Sequence, residues 1–464
     1  MSEQFDVIVI GAGPAGENAA GRTAAGGLRT AMVEKQLVGG ECSYWGCVPS
    51  KALIRPGDVL ADARRVPGAA PAVTGTVDVA AALGWRDYMV SSYSDAGQVD
   101  WVDSAGITLV RGRGRLAGPR TVEVVADDGS VRTLTASRAV VLATGTSAAV
   151  PPIDGLRDAR PWDNRDVTGL KEVPRRLVVI GGGTIGVEMA QAVKRLGAES
   201  VTVLEGGPRL LAREEPFAGD AVQEAFEAEG ITVRTGVKVT SAHRADDGPV
   251  RVGFGDGESV VGDEVLVAVG RRSATSDLGL ETVGLEPGRP VAVDDRLLAT
   301  GVEGNDWLYA VGDVNGVALL THMGKYQARL VGDVILGKDA RDKASRDVVP
   351  RVTFSDPQVA AVGLTEEQAR DRGLDVRVVT TPTGGVSGTY LLGDGLGGTC
   401  QIVVDEARHV IVGATFVGAH TAELLHSATI AIVGEVPLET LWHAVPSFPT
   451  VSEVWLRLLE AYGL

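Results

Sequence analysis

Short, wholly apolar runs that end in glycine recur along this chain, and two of them repeat one pattern. Val7–Ile10 runs into Gly11-Ala-Gly13-Pro-Ala-Gly16. An Ala-rich segment follows, predicted to be a helix from about Glu17 to Ala25, and then a second apolar run, Thr30–Val33, that ends in Glu34. Leu177–Ile180 runs into Gly181-Gly-Gly183-Thr-Ile-Gly186. A helix is predicted to about Leu196, and the run Val201–Leu204 ends in Glu205. Apolar runs this short, bounded by turns, predict strands buried on both faces of a parallel sheet. Three more fit the same description: Ala139–Leu142 before Ala143-Thr144-Gly145, Val265–Gly270 before Arg271-Arg272, and Leu308–Val311 before Gly312-Asp313. Between them, Ile107–Val125 reads as strands around Gly112-Arg-Gly114-Arg. Arg55–Asp103 begins rich in Pro, Ala and Gly and is predicted helical over Trp85–Tyr93. From about Val348 the character changes. Short strands, Gln401–Val404 and His409–Phe416 among them, alternate with helices from Thr421 and Val451, which predicts an α+β domain without a fingerprint of its own.

Strand, glycine turn, helix, strand and acid, in that order, is a dinucleotide-binding unit, more specific than a glycine pattern alone. Gly11 permits the tight turn. Gly13 lets the backbone approach a pyrophosphate at the helix N-terminus, and Gly16 lets helix and strand pack closely. Glu34, 18 residues past Gly16, is placed to accept from ribose hydroxyls. The second unit repeats this with Gly181, Gly183 and Gly186, has Glu188 two residues on, and ends in Glu205, 19 residues past Gly186. An acid there favours a free ribose 2′-hydroxyl, hence NADH, while Arg209 nearby leaves NADPH open. Two such units imply two dinucleotides, or one large dinucleotide cofactor and one smaller. Asp313, at the end of a buried strand, suits either a cofactor hydroxyl or a plain turn.

The other chemical signal is Gly39-Gly-Glu-Cys42-Ser-Tyr-Trp-Gly-Cys47-Val-Pro-Ser-Lys51. On a regular helix, residues five apart lie about 8.6 Å apart at Cα. A disulfide accepts no more than about 7 Å. A bridge between Cys42 and Cys47 therefore needs a distorted turn, for which Gly46 and Pro49 are suited. A strained bridge is readily reduced, which fits a redox pair; two buried, inert thiols is the competing reading. The spacing is not that of a zinc site, and no second cysteine pair completes one. A cysteine near a lysine and a helix start has a depressed pKa, which makes its thiolate available.

Composition narrows the classes. At 464 residues and about 150 residues per domain, the chain divides into three. A net charge of −16 argues against nucleic acid or an anionic membrane as partner. No apolar run approaches the roughly 18 residues of a membrane span. Met1–Asp6 is polar and acidic, unlike a secretory signal. Three cysteines in so long a chain suit a reducing cytoplasm, and Cys400 is predicted to be a half-buried strand residue.

Two fingerprints with C-x4-C-x-P-S-K just after the first resemble the pyridine nucleotide–disulfide oxidoreductases, in particular the dihydrolipoyl dehydrogenase, glutathione reductase and mercuric reductase group. The likeness extends to A-T-G at 143–145, A-V-G-R at 268–271, Y-A-V-G-D at 309–313 and F-S-D-P-Q-V-A-A-V-G-L-T at 354–365. It implies an α/β fold of two Rossmann-like domains and a C-terminal α+β dimerisation domain. The boundaries would be an FAD domain over 1–150 and 273–345, an NAD(P) domain over 151–272 and an interface domain over 346–464. It implies a homodimer with FAD and NADH or NADPH, passing electrons from the nicotinamide through the flavin to the disulfide and on to a small-molecule acceptor. By position, Gly11, Gly13, Gly16, Glu34, Lys51, Gly114, Thr144, Gly145 and Asp313 would contact FAD. Gly181, Gly183, Gly186, Glu205 and Gly270 would contact the nicotinamide cofactor. Cys47 would face the flavin, Cys42 would attack the acceptor, and Lys51 and Glu188 would pair beside the flavin.

The chain departs from the family's H-P-T-x-x-E. Ser447-Phe448-Pro-Thr-Val-Ser-Glu453 keeps the Glu and replaces the acid/base His by Phe448. Positioned acid–base help is worth about 10²–10⁴-fold, so fast turnover of a dithiol is in question. His443, five residues earlier, is read as a surface or core histidine. The last residues carry no cysteine pair, which disfavours mercury. Glu41 would oppose a thiolate at Cys42. Tyr44 and Trp45 would either line a pocket for a flat acceptor or pack a dimer interface. Two alternatives follow: a flavin reductase of a quinone or specialised metabolite that does not use the disulfide, and a non-catalytic redox sensor.

Overall fold

In the computed structural model, which describes residues 3–464, the apolar runs become strands whose carboxyl ends lie level. The chain forms two units. The first holds the residues up to Pro49 with Asp87–Ala149 and Gly270–Arg346. Its seven-stranded sheet runs in the order Thr108–Arg111, Thr30–Glu34, Glu3–Ile10, Val131–Leu142, Thr121–Val125 and Arg113–Leu116, and Leu308–Ala310 pairs with Val131–Leu142. The first four strands and Leu308–Ala310 are parallel; Thr121–Val125 runs antiparallel to Val131–Leu142, and Arg113–Leu116 runs antiparallel to Thr121–Val125. Ile10 pairs with both Val33 and Leu142, and Leu142 pairs with Ala310. Gly11, Glu34, Thr144-Gly145 and Asp313 therefore follow neighbouring strand ends, the place where open parallel sheets bind ligands. The helices Pro14–Ala25 and Thr321–Ile335 pack together. Val7, Val9, Val33, Val141 and Leu308 are fully buried in the core, each stabilising the unit by roughly 1.5–3 kcal/mol.

The second unit holds Ser50–Arg86, Val150–Val269 and Asp347–Leu464. Its parallel sheet has the order Ile231–Arg234, Ser200–Leu204, Arg176–Ile180, Glu264–Val267, with Ile180 level with Leu204 and Val267. A three-stranded antiparallel sheet, Val239–Arg244, Val250–Phe254 and Glu258–Gly262, accompanies it. A five-stranded antiparallel sheet carries Arg351–Thr353, Gln358–Gly363, Val410–Gly418, Thr399–Asp405 and Val376–Pro382 in that order. Cys400, expected half-buried, is wholly buried, because the Thr399–Asp405 strand is covered on both faces and the expected alternation is lost. Half-buried Arg195, on the helix Thr184–Arg195, binds Asp58 at 2.9 Å, Asp356 at 2.7 Å and Glu229 at 2.5 Å, and Arg65 binds Asp356 at 2.5 Å. This cluster fixes the helix that carries Glu188.

The expected helix over Trp85–Tyr93 is Val79–Met89 instead. It stops before Ser91, Ser92 and Tyr93, which take left-handed backbone at φ 50°, 50° and 61°. Among the described residues no helix is long and apolar enough to cross a membrane.

Candidate active site

The cysteine pair spans a break between two helices of the first unit's chain. Gly40–Tyr44 ends at Trp45, and Cys47 opens the next helix, Cys47–Arg65. Gly46 sits in the break, where a Cβ would come within 3.1 Å of the Glu41 carbonyl. This is the distortion the spacing demanded. Both cysteines are thiols, Cys47 exposed and Cys42 partly covered. Cys42 is disfavoured as a thiolate, the direction expected of it, although the causes lie elsewhere than Glu41. Its thiol is pushed well above the ordinary range, first by the hydrogen bond it makes to Cys47 and then by burial. The thiol form of Cys42 is thereby favoured, beside a Cys47 sulfur that lies at the first turn of a 19-residue helix.

Thr321, first residue of the helix Thr321–Ile335, lies with Oγ1 3.3 Å from Cys47 Sγ and also hydrogen-bonds Cys42, which favours the Cys42 thiolate. Lys325, one turn on, acts on Cys42 in the same direction. Neither was singled out in the sequence, and nothing local marks them, 274 residues from Cys47 in the case of Thr321. Glu41, expected to oppose a thiolate, lies 3.6 Å from the Arg271 guanidinium, which offsets it. Arg271 Nε donates to Thr146 Oγ1 at 2.6 Å, and that hydroxyl donates to Asp313 Oδ2 at 2.9 Å. Burial pushes the Asp313 carboxyl above its ordinary value. Tyr44 neither lines a pocket nor faces outward. It is buried, its hydroxyl donating to Val38 O at 3.1 Å, while Trp45 is half-buried against Tyr93.

The two fingerprints share one geometry. Glu34 Oε2 accepts from Ala12 N at 2.8 Å and Oε1 from Gln36 N at 2.7 Å. Glu205 does the same with Gly182 N and Gly207 N, each at 2.5 Å. Each acid is thus locked against its own glycine turn. Gly11 (φ +102°) and Gly181 (φ +109°) need left-handed backbone, and a Cβ on Gly16 or Gly186 would collide with the carbonyl of Gly11 or Gly181. Gly145, Gly183 and Gly270 have nothing within 4 Å of where a Cβ would stand, and Gly13 has only Gly40 Cα at 4.0 Å. Open space over bare backbone is what a phosphate-bearing cofactor fills, so these residues fit FAD and NAD(P)H. Gly114 serves packing too, since a Cβ there would press Val33 at 2.9 Å; Thr144 Oγ1 donates to Ala274 O at 3.0 Å. Arg209 turns toward the carbonyls of Ala212 and Glu214, 3.2 Å from each.

In the second unit Lys51 Nζ meets Glu188 Oε2 at 2.6 Å. Glu188 is 4% exposed, and its other oxygen accepts from Phe354 N at 2.9 Å. Lys51 also lies 4.7 Å from the Phe354 ring centroid. Glu453 is buried, and among the described residues its Oε2 has no hydrogen-bond partner. Phe448 is 73% exposed, and His443 is exposed, a surface histidine.

The family model for the pyridine nucleotide-disulphide oxidoreductases matches residues 5–328, and that for their dimerisation domain matches 349–458. The chain belongs to this family. It is an FAD enzyme that uses NAD(P)H in disulfide reduction, with the family's two Rossmann-like domains and a dimerisation domain. It is similar to a dihydrolipoyl dehydrogenase of Chlorobaculum tepidum, 35% identical over 98% of this chain and 96% of that one. A mercuric reductase of Staphylococcus aureus is 32% identical over 97% of this chain and 81% of its own length. Among solved structures, a Cu(II) complex of the HOCl-induced flavoprotein disulfide reductase RclA from Escherichia coli superposes with a TM-score of 0.86 at 26% identity, covering 99% of both chains.

Proposed function

We propose that this oxidoreductase passes electrons from NADH to a low-molecular-weight disulfide through Cys42 and Cys47, as a cytoplasmic homodimer. The observation that carries this reading is the pair itself: a protonated Cys42 hydrogen-bonded to Cys47 across a helix break, with the Thr321 hydroxyl on both sulfurs. Bound FAD supplies the two-electron chemistry that no side chain can. Gly11, Gly13, Gly16, Glu34, Gly114, Thr144, Gly145 and Asp313 bind and orient it. Gly181, Gly183, Gly186, Glu205 and Gly270 hold the nicotinamide cofactor. NADH is favoured because the second unit ends in an acid, Glu205, while Arg209 is turned to backbone carbonyls. Cys47 presents its sulfur from a helix start, where the helix dipole and the Thr321 hydroxyl favour negative charge. Cys42 keeps its proton until the acceptor arrives. Then it gives up the proton and attacks one sulfur of the acceptor disulfide; the other sulfur leaves as a thiol after taking a proton. Cys47 attacks Cys42 in the mixed disulfide, which releases the second thiolate, protonated from solvent, and leaves the Cys42–Cys47 disulfide. Lys51, paired with Glu188 at 2.6 Å, is assigned to the flavin chemistry by its place in the cysteine motif. Glu453, buried with one carboxylate oxygen unpartnered among the described residues, is assigned to the catalytic set by its place in the C-terminal motif.

The dimerisation domain supports a second copy, and exposed Val445 (84%) and Phe448 (73%) suit its cover. Three cysteines in 464 residues suit a reducing compartment.

The test is steady-state NADH oxidation with low-molecular-weight disulfides and with quinones as acceptors, in wild type and Cys42→Ser. Disulfide turnover in wild type that Cys42→Ser abolishes, with FAD retained, is expected. Quinone turnover indifferent to Cys42→Ser, with no disulfide reduced by wild type, would sink the reading.

A further inference from the structure

Outside the fingerprints and the cysteine pair, the first unit carries an open groove of about 700 Å³. One stripe of the helix Pro14–Ala25 forms its floor, the segment Ser91–Trp101 one wall, and Arg329 of the helix Thr321–Ile335 the other. Gly21 lets an indole lie against the helix backbone: a Cβ there would meet Trp101 at 3.3 Å. Trp101 remains 39% exposed, so the indole presents open apolar surface to the groove. Arg329 is exposed, and its one hydrogen bond among the described residues is a long one, 3.5 Å to Asn18 Oδ1, so most of its five donors face the groove or water. The other cation, Arg22, is already engaged by Asp333 at 2.7 Å.

We infer that this groove binds a planar aromatic carboxylate, its ring stacked on Trp101 and its carboxylate on the Arg329 guanidinium. A ring on an indole and a carboxylate on a planar guanidinium are the pairings these two side chains favour. The third polar group fits as well. Glu17 is half-buried at the groove, and burial pushes its carboxyl up to about 7 against the pull of Lys325. Near neutral pH much of it is protonated, so it donates to a ligand oxygen instead of repelling it.

A second feature sets this groove apart from an ordinary surface cleft. Ser91, which lines it, begins the left-handed run Ser91–Ser92–Tyr93. Consecutive left-handed residues with side chains are strained, and such strain persists where the surroundings enforce it and gathers at ligand sites. Here the surroundings include the cysteine segment. Tyr93 packs on Trp45 with ring centroids 6.3 Å apart, and the Ser94 carbonyl accepts from the Tyr44 hydroxyl at 3.4 Å. On the opposite wall, Thr321, Lys325 and Arg329 recur every four residues along one helix face. The first touches Cys47, the second acts on both Cys42 and Glu17, and the third lines the groove. Both walls thus run from the groove to the redox pair.

A chain of net charge −16 does not attract anions in general, so saturable uptake of an aromatic anion is informative. The probe is 1-naphthoate, titrated calorimetrically into the FAD-loaded enzyme, with 1-naphthalenemethanol as its neutral counterpart. Saturable binding of one equivalent with Kd below about 1 mM is expected. The neutral compound, Arg329→Gln and Trp101→Leu are each expected to weaken binding by about tenfold or more. Neither residue belongs to the proposed redox or cofactor machinery, and the flavin spectrum reports whether each variant is folded. The neutral comparison needs no variant at all. No saturable heat in wild type, equal binding of the neutral compound, or equal Kd in folded variants overturns the proposal.

Discussion

Thr321→Val removes one hydroxyl and keeps the shape of the side chain. That hydroxyl lies 3.3 Å from Cys47 Sγ and also serves Cys42. A hydrogen bond to a charged acceptor contributes about 1.5–3 kcal/mol. A bond shared between two sulfurs belongs at the lower end, and about 1.4 kcal/mol corresponds to one pKa unit. Losing a donor to a thiolate disfavours the charged form, so the thiol–thiolate transition moves to higher pH. The assay is an anaerobic pH titration of the two-electron-reduced enzyme, following the long-wavelength absorbance of thiolate against flavin. In Thr321→Val this absorbance is expected to vanish, on acidification, at a pH about one unit higher than in wild type. Thr321→Ser, which keeps the hydroxyl, is expected to stay near wild type. An unchanged midpoint in Thr321→Val would refute the assignment of that hydroxyl to the sulfurs.

Glu17→Gln tests the buried acid. The folded-state pKa of about 7 lies above the ordinary 4.5, so the native state binds a proton the unfolded chain releases, and stability falls as pH rises from about 4.5 to about 7. The variant lacks that loss, at most about 3 kcal/mol, so its Tm relative to wild type is expected to be higher at pH 8 than at pH 5. Arg195→Met leaves Asp58, Glu229 and Asp356 without their shared cation and is expected to cost about 3–5 kcal/mol in denaturant unfolding; a loss below about 1 kcal/mol would count against the cluster. Phe448→His restores a titratable group in the segment that ends at Glu453 and is expected to raise dihydrolipoamide oxidation by about tenfold or more. No increase in a folded, FAD-loaded variant would mean that the site is built for another acceptor.

Both fingerprints were legible because glycine spacing, apolar strand runs and terminal acids are local features. The break between Cys42 and Cys47 was legible from covalent reach alone. The partners of those cysteines were not. Thr321 and Lys325 reach the sulfurs only because Leu308–Ala310 pairs with Val131–Leu142 and the following helix packs on Pro14–Ala25. Arg271 lay in a recognised motif, yet its pairing with Glu41 exists only after strand Arg271–Ser273 pairs with Thr146–Ala148. The left-handed turn at Ser91–Tyr93 contains no glycine to announce it. Cys400 was placed too near the surface because alternation along one strand says nothing about what covers its outer face, and Tyr44 because nothing local announces its burial or its bond to Val38 O.

An anaerobic titration of the FAD-loaded protein with NADH bears most directly on the redox pair. Two electrons are expected to produce a long-wavelength charge-transfer band with the flavin still largely oxidised, and two more are needed to bleach it. If the first two electrons bleach the flavin outright, Cys42 and Cys47 are outside the electron path and the disulfide assignment is wrong.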